Sequence, residues 1–265
     1  MFVNHIQSTP LKGTRLHTLW RSAVSEHGLV DDRLFHLVDD DGRLVNGRRY
    51  GPLVRLQATY DRDRDELGVA VPGRGVVTGR ADRLGEAVST RFFDHDVQGR
   101  LLHGPWAAAL SAYAGRGLHV VRVVRPSFGV DKHPVTLVSA ATLDWVRLRL
   151  GAPPCIDRRA ARMSIEIGGC RPREEETWVG RDLRIGDAVV HIVGLVPRCV
   201  VTQQDPATGA HSWNTMRALL DGRPPPPDGT PHKPLLGVHA VVVTPGTVVV
   251  GAPVDDPTDP QENPR

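Results

Sequence analysis

The sequence has little cysteine, few aromatic residues and no long apolar run. Its three cysteines, Cys155, Cys170 and Cys199, form no Cys-x-x-Cys pair, which argues against a zinc site or a disulfide framework. No stretch approaches the roughly 18 apolar residues that a membrane-spanning helix needs. Residues 1–13 lack the charged start and apolar core of a signal peptide. We therefore expect a cytoplasmic protein with no membrane partner.

Clustered basic residues are also missing. The 33 Lys and Arg residues are interspersed with 30 Asp and Glu residues, for a net charge of +3. Nucleic-acid-binding surfaces usually combine clustered basic residues with stacking aromatics, and aromatics make up only 5% of this chain. Nucleic acid is therefore not expected as a partner. A local pocket of arginines directed at a phosphate remains compatible with this balance.

Turn-forming residues are abundant, with 27 Gly and 22 Pro. Asp41-Gly42 predicts a tight hairpin turn between two apolar segments, and residues 53–60 alternate as a half-buried strand does. Further β-branched or apolar segments predict strands at 118–124, 164–167, 188–196, 200–202, 238–243 and 247–250. This rhythm predicts a mainly β fold (α+β) of barrel-like sheets with a few short helices packed outside.

Three helices are predicted, at 104–114, 139–150 and about 213–220. Gly115, Gly151 and Gly222 mark their C-terminal ends, and Ser212 is the expected N-cap of the third helix. The Pro-rich stretch 224–227 predicts an extended surface loop. The polar tail 255–265 is expected to be disordered.

The segment with the clearest chemical content ends at Cys199. Ile185-Gly186-Asp187 begins an apolar strand that leads to Arg198-Cys199, and Asp205-Pro206-Ala207-Thr208-Gly209 follows. A guanidinium neighbour favours a thiolate, which binds soft metals, and the turn offers groups that hold an anion. On residues alone, a small buried strand cysteine is the favoured interpretation.

This stretch resembles the signature of the MOSC family, the molybdenum-cofactor sulfurase C-terminal domain. That signature reads approximately as Leu-x-Ile-Gly-Asp, a strand, Ser-Arg-Cys, and then Thr-x-x-Asp-Pro-x-Thr-Gly. Residues 174–178 resemble the acidic element with Trp upstream of it, and residues 236–240 and 245–251 resemble the closing strands.

The N-terminal part is similar to the β-barrel domain that precedes MOSC in amidoxime-reducing-component and YcbX-like proteins. The matching segments are Thr9-Pro10-Leu11-Lys12-Gly13, residues 28–35 with Asp32-Arg33, and Arg49 ahead of Pro52-Leu53. The resemblance implies two packed β-barrel-like domains, at 1–95 and 96–254, with a cofactor cleft between them.

The resemblance also implies a site. Cys199 would be the single protein ligand to the metal of the molybdenum cofactor, a molybdopterin, with Arg198 screening the thiolate. Lys12, Arg33 and Arg162 would surround the pterin and its phosphate, since Lys offers a point charge and Arg a fork for phosphate oxygens. Further cofactor contacts are expected from Arg49, Lys132, Ser164, Thr202, Asp205 and Thr208, of which Asp205 and Thr208 mainly shape the turn.

Three positions near the expected cofactor pocket depart from the family pattern. Arg162-Met163-Ser164 replaces Arg-Pro-Asn, Lys132-His133 replaces a pair of small hydroxyl residues, and His239 replaces a tyrosine. His133 and His239 are candidate catalytic proton donors, since imidazole titrates near neutrality. Lys132 is a candidate for a compensating phosphate contact. These changes predict either a pocket retuned for another substrate or a weaker hold on the cofactor.

The function implied by the resemblance is reduction of N-hydroxylated or other N–O or S–O small molecules. No iron–sulfur cysteine set follows the MOSC region, so a separate ferredoxin-type or flavoprotein-type electron donor is expected. Two alternatives use the same cysteine: a sulfur carrier with a Cys199 persulfide and no metal, and a cofactor-binding or delivery module without turnover. A Cys–His hydrolase is disfavoured because no feature places a histidine beside Cys199.

Overall fold

The computed structural model describes residues 1–124, 129–151, 157–221, 223–225, 227 and 230–255. Within these residues the strands are β1 (Phe2–Ser8), β2 (His17–Leu19), β3 (Arg21–Ser25), β4 (Gly28–Leu29), β5 (Phe35–Val38), β6 (Leu44–Val45), β7 (Gln57–Asp61), β8 (Glu66–Val71), β9 (Gly75–Arg80), β10 (Leu84–Phe92), β11 (His95–Leu102), β12 (His119–Val123), β13 (Val135–Ser139), β14 (Ile165–Gly168), β15 (Asp182–Ile185), β16 (Ala188–Pro197), β17 (Leu235–Thr244), β18 (Gly246–Val249) and β19 (Val254–Asp255). The helices are α1 (Trp106–Ala114), α2 (Ala140–Arg149) and α3 (Thr215–Asp221). Short 3-10 turns lie at Gly51–Arg55, Arg158–Ala161, Glu174–Trp178 and Val200–Gln203. The predicted mainly β fold is confirmed.

The largest sheet joins strands from both ends of the chain. Its order is β19-β15-β16-β17-β13-β14-β1-β2, and all neighbours are antiparallel except β13 and β14. A second sheet has the order β10-β11-β12-β5-β6, and two three-stranded sheets have the orders β18-β3-β4 and β7-β8-β9. The first strand of the chain therefore lies between β2, its neighbour in sequence, and β14 from the second half of the chain.

Two large apolar cores follow this arrangement. One combines β1, β3 and β4 residues such as Val3 and Ile6 with residues from Val135 onward. The other gathers residues between Leu11 and Val120, with Trp106 at 0% exposure. Residue 95, the predicted domain boundary, is the first residue of β11, which pairs with both β10 and β12. The boundary stays a prediction.

The sequence signals at the helix ends are mostly confirmed. Ser139 is the extended residue before α2, and Gly115 ends α1 in the left-handed conformation at φ 66°. Ser212 as the cap of α3 is wrong. The carboxamide oxygen of Asn214 accepts the N–H of Arg217 at 3.2 Å, so the cap lies two residues later. The predicted helix end at Gly222 lies outside the described residues.

Two predicted strand features have different outcomes. The Asp-Gly hairpin is confirmed, since β5 and β6 pair antiparallel around Gly42 at φ 74°. The predicted strand at 53–60 is only half right, because residues 51–55 form a 3-10 turn with Pro52 in its first turn. None of the helices among the described residues has the length and apolar character needed to cross a membrane.

Candidate cofactor site

Lys12 lies in the loop after β1, and its side chain is buried. Its backbone N–H donates to the carbonyl of Phe35 at 2.8 Å, which fixes the loop against β5. Its Nζ lies 2.7 Å from Asp131 Oδ1 and donates to the carbonyl of Gly129 at 3.1 Å. Burial lowers the pKa of Lys12, the Asp131 carboxylate opposes this, and the charge of Arg33 lowers it further. The ammonium is thus held between one carboxylate and other cations.

Arg33 follows a buried acidic residue in a tight turn. Its backbone is left-handed at φ 52°, and its N–H donates to the carbonyl of Thr9 at 2.7 Å. Its guanidinium pairs with Asp32, whose carboxylate also accepts the Ser8 hydroxyl and the Thr9 N–H, each at 3.0 Å. Because Asp32 has several hydrogen-bond partners, the turn is held in place, and pairing with Asp32 fixes the Arg33 guanidinium.

Arg162 lies between the 3-10 turn Arg158–Ala161 and β14. Its backbone is also left-handed, at φ 52°, and its Nη2 donates to the carbonyl of Thr14 at 3.0 Å. Burial lowers the pKa of Arg162 to about 10, and the charges of Arg33 and Arg198 act in the same direction. Burial is the main cause of this lowered pKa, and the carboxylates of Asp32 and Asp131 act against it.

Arg198 comes directly after β16 and faces the same group of charges. Its N–H donates to the carbonyl of Pro234 at 2.8 Å, and its guanidinium donates to the carbonyl of Ala161 and approaches Met163 Sδ at 3.5 Å. Its Nε is buried without a hydrogen-bond partner among the described residues. Burial lowers the pKa of Arg198, and the neighbouring Cys199 opposes this.

Cys199 is half-buried at the start of the turn Val200–Gln203. Its carbonyl accepts the N–H of Thr202 at 3.1 Å and the Thr202 hydroxyl at 3.0 Å. The carbonyl of Thr202 in turn accepts the hydroxyl of Thr215, at the start of α3, at 2.9 Å. The cysteine is therefore fixed at a strand end by a 3-10 turn that is hydrogen-bonded to the helix after it.

Asp131 is a member of this site that sequence reasoning missed. Desolvation acts to raise the pKa of its carboxyl, but the charges of Lys12, Arg33 and Arg198 outweigh it and hold that pKa below its usual range. The available signal was its position, since it directly precedes Lys132, where the chain departs from the expected pattern.

The residues present fit a phosphate-bearing cofactor with a thiolate ligand. The cations Lys12, Arg33, Arg162 and Arg198 interact electrostatically with one another, and the carboxylates facing them in the described chain are Asp32 and Asp131. A surplus of positive charge and an unpartnered Arg198 Nε suit phosphate oxygens. The half-buried thiol beside them suits a soft metal.

Comparison with known families decides the relationship. The model of the MOSC N-terminal β-barrel domain matches residues 1–113, and the MOSC domain model matches residues 125–255. The chain belongs to the MOSC family. The resemblance expected from the motifs is confirmed over nearly the whole described chain.

The proteins that this MOSC chain is similar to include mitochondrial amidoxime-reducing components. Mitochondrial amidoxime reducing component 2 of Bos taurus is 25% identical over 252 residues, covering 86% of this chain and 73% of that protein. Mitochondrial amidoxime-reducing component 1 of Homo sapiens is 25% identical over 250 residues, with the same shares. The crystal structure of the YUAD protein from Bacillus subtilis has a TM-score of 0.45 and 11% identity, covering 95% of this chain and 92% of that one. The cytoplasmic location expected above stays a prediction.

Other residues expected at the MOSC cofactor have local partners instead. Arg49 is exposed, and its Nη1 lies 3.2 Å from Asp39 Oδ2. Asp205 accepts a backbone N–H two residues later at 2.7 Å, and the Thr208 hydroxyl does the same at 3.2 Å, so both shape the turn. Cofactor contact from these three residues stays a prediction.

Ser164 and Lys132 occupy two of the positions at which this MOSC chain departs from the family. Ser164 is buried, and its N–H donates to the Thr136 hydroxyl at 2.8 Å, with the two hydroxyl oxygens 3.1 Å apart. Ser164 thereby links β13 to the start of β14. Lys132 is exposed in the loop that leads into β13. Their contacts with a cofactor likewise stay predictions.

His133 and His239, the remaining MOSC departures, stack on each other. Their ring centroids are 4.4 Å apart with planes inclined by 31°. His239 is buried, and its Nδ1 has no hydrogen-bond partner in the described part of the chain. Burial lowers the pKa of His239 to about 4, and the charges of His133 and Lys132 add to this. The ring is therefore neutral near pH 7, where it offers one N–H as a hydrogen-bond donor. The proton-donor role stays a prediction.

Proposed function

We propose that the protein holds the molybdenum cofactor and reduces N-hydroxylated or other N–O or S–O small molecules. One arrangement carries this proposal. Half-buried Cys199 lies directly after Arg198, whose guanidinium belongs to a cluster of four cations with a surplus of positive charge. The relatives named as amidoxime-reducing components indicate the reaction class.

The division of roles follows from the chemistry of the side chains. Cys199 would supply the thiolate, and Lys12, Arg33 and Arg162 would hold the phosphate of the pterin, because ammonium and guanidinium groups make charge-assisted hydrogen bonds to phosphate oxygens. Arg198 would screen the negative charge of the thiolate. When bound, the cofactor would supply the two-electron redox chemistry.

The reaction also needs electrons and protons from elsewhere. Conversion of N–OH to N–H consumes two electrons and two protons and releases water. The electrons would come from a separate donor protein of ferredoxin or flavoprotein type. His133 and His239 are neutral candidates for passing a proton, since a neutral imidazole carries one N–H and one acceptor nitrogen.

The same cluster favours a phosphate-bearing ligand over a bare persulfide. A persulfide on Cys199 adds one negative charge beside Arg198. It leaves the surplus positive charge of the cluster without a matching anion, because the four cations face only Asp32 and Asp131 among the described residues and uncompensated buried charge is costly. A sulfur carrier therefore accounts for the cysteine but not for the cations.

The test is reduction of an aromatic amidoxime by native protein made in a host that synthesises the cofactor, with reduced methyl viologen as electron donor. We expect the amidine to form as the dye is oxidised. Cys199→Ser should lower turnover at least about 100-fold, since loss of a metal ligand exceeds the usual effect of losing an outer partner. Cys170 is also half-buried, and its thiol donates a hydrogen bond to the Ser139 hydroxyl at 3.3 Å. Cys170→Ser is therefore the matched control and should retain turnover.

Each other outcome contradicts part of the proposal. Native turnover by Cys199→Ser rules out the cysteine as the ligand. Molybdenum-containing protein that forms no amidine and reduces no other N–O or S–O compound is a binding or delivery module. Metal-free protein with a persulfide on Cys199 is a sulfur carrier.

A further inference from the structure

Asp131 stands apart from the other carboxylate that faces the cation cluster. Asp32 is buried and accepts hydrogen bonds from Ser8 and Thr9 as well as pairing with Arg33. Asp131 has an exposed side chain, at 58%, and its carboxylate meets Lys12 Nζ at 2.7 Å. Asp32 is therefore a fixed part of the fold, whereas the Asp131 carboxylate has access to water.

The loop that carries Asp131 is seated directly on the cluster. The carbonyl of Gly129 accepts a hydrogen bond from Lys12 at 3.1 Å. A Cβ atom at Gly129 would overlap the backbone carbonyl of Arg33, so the close approach of the loop requires glycine. Backbone packing thus sets the position of the loop. The Asp131 side chain places a negative charge on the solvent side of the buried Lys12 ammonium.

A phosphate dianion and the Asp131 carboxylate would both pair with the Lys12 ammonium. Lys12 has three N–H donors, of which one bonds to the carbonyl of Gly129 and another points to Asp131. A phosphate placed against Lys12, Arg33 and Arg198 would also lie beside Asp131, because all three cations interact electrostatically with that carboxylate. Like charges at such short range repel strongly in a partly buried site.

We propose that Asp131 is an internal counter-anion that competes with a phosphate group for Lys12, so that phosphate binds by displacing its carboxylate. Asp131 thereby sets the affinity of the site for phosphate. The inference rests on the proposed function only in taking the pterin phosphate as the natural ligand. Competition for Lys12 by inorganic phosphate can be measured without cofactor.

The experiment is titration of the purified full-length protein with inorganic phosphate by calorimetry. Asp131→Asn keeps the size of the side chain and removes its charge, and it should bind phosphate about tenfold more tightly, since one nearby repulsive charge is removed. Asp131→Ala should shift affinity in the same direction. The matched control is Asp82→Asn, which neutralises a half-exposed aspartate paired with Arg80 at 2.8 Å and should leave affinity unchanged.

A double variant identifies the group for which Asp131 competes. In the Lys12→Met background, Asp131→Asn should gain clearly less than it does with Lys12 present, because relief of repulsion remains but no ammonium is freed, and such non-additivity reports a direct interaction between the two residues. Equal or weaker phosphate binding by both Asp131 variants, with unchanged unfolding curves, overturns the inference. The full gain in the Lys12→Met background overturns the competition for Lys12. Molybdenum content distinguishes this failure from failure of the proposed function, since native protein can carry the metal whichever way the phosphate titration turns out.

Discussion

Replacing Lys12 with methionine is expected to lower the molybdenum content of the purified protein about tenfold or more without destabilising the fold. The loss follows because Lys12 is the buried point charge that a phosphate would meet, and loss of a group that supports a metal site from outside its ligand set typically costs about 10–100-fold in metal affinity. The measurement is metal per protein by elemental analysis, together with the free energy of unfolding from urea denaturation.

The stability half of this prediction rests on burial. The Lys12 side chain is only 7% exposed, and a buried ammonium loses hydration that its partners only partly replace. Methionine has a similar length and retains contact with the Phe92 ring, which lies 4.9 Å from Lys12 Nζ. Asp131 remains hydrated after the change because it is mostly exposed. We therefore expect the free energy of unfolding to stay within about 1 kcal/mol of the native value or to rise.

Lys233→Met is the control, since Lys233 is an exposed lysine outside the cluster. It should change neither metal content nor stability. Native metal content in Lys12→Met would show that this ammonium does not hold the cofactor. A large loss of stability would show that Lys12 is kept for folding.

His36 is expected to account for a large part of the acid sensitivity of the fold. The residue is fully buried, with Nε2 2.9 Å from the Thr90 hydroxyl oxygen and no hydrogen-bond partner for Nδ1 among the described residues. Burial lowers the pKa of His36 from 6.5 to about 3, and the charge of Lys12 adds to this. The folded protein therefore keeps this ring neutral.

The direction of the pH effect follows from proton uptake. Between pH 6.5 and about 3 the unfolded chain binds a proton at His36 that the folded chain does not. The contribution of neutral His36 to the free energy of unfolding is therefore fully present above pH 6.5. It falls as the pH drops through this window, and it stops falling below about pH 3. Between pH 7 and about 4.5, proton uptake at His36 in the unfolded chain should lower the free energy of unfolding by about 2–3 kcal/mol.

His36→Gln tests this prediction, because its amide can still reach the Thr90 hydroxyl but does not titrate. Its free energy of unfolding should fall less than that of the native protein between pH 7 and about 4.5, by about 2–3 kcal/mol. His119→Gln is the control, since His119 is exposed and paired with Asp40 at 2.9 Å. Parallel pH profiles for the native protein and His36→Gln would contradict the prediction.

The fold was predictable from sequence where one or two residues set an element. Asp41-Gly42 specifies its hairpin, and Ser139 marks the start of α2. The alternating pattern after Pro52 predicted a strand, but its first residues form part of a 3-10 turn that has this proline near its start. The pairing of β1 with β14, and of β3 with β18, depends on segments far apart in the chain, and no local pattern encodes such pairings.

The candidate site divides in the same way. Lys12, Arg33, Arg162 and Arg198 were predicted because they lie in motifs that resemble MOSC proteins, and the structure brings them together. Asp131 lies in none of these motifs, and a single acidic residue in a loop carries no pattern of its own. Its contact with Lys12 exists only because the loop folds back onto Arg33.

We propose that Cys199 and the cation cluster together hold a molybdenum cofactor. The most direct measurement is molybdenum per protein, by elemental analysis of native protein and Cys199→Ser purified from a cofactor-replete host, with Cys170→Ser as the control. We expect near-stoichiometric metal in the native protein and in Cys170→Ser, and a loss of most of it in Cys199→Ser. Metal-free native protein, or full metal content in Cys199→Ser, would contradict it.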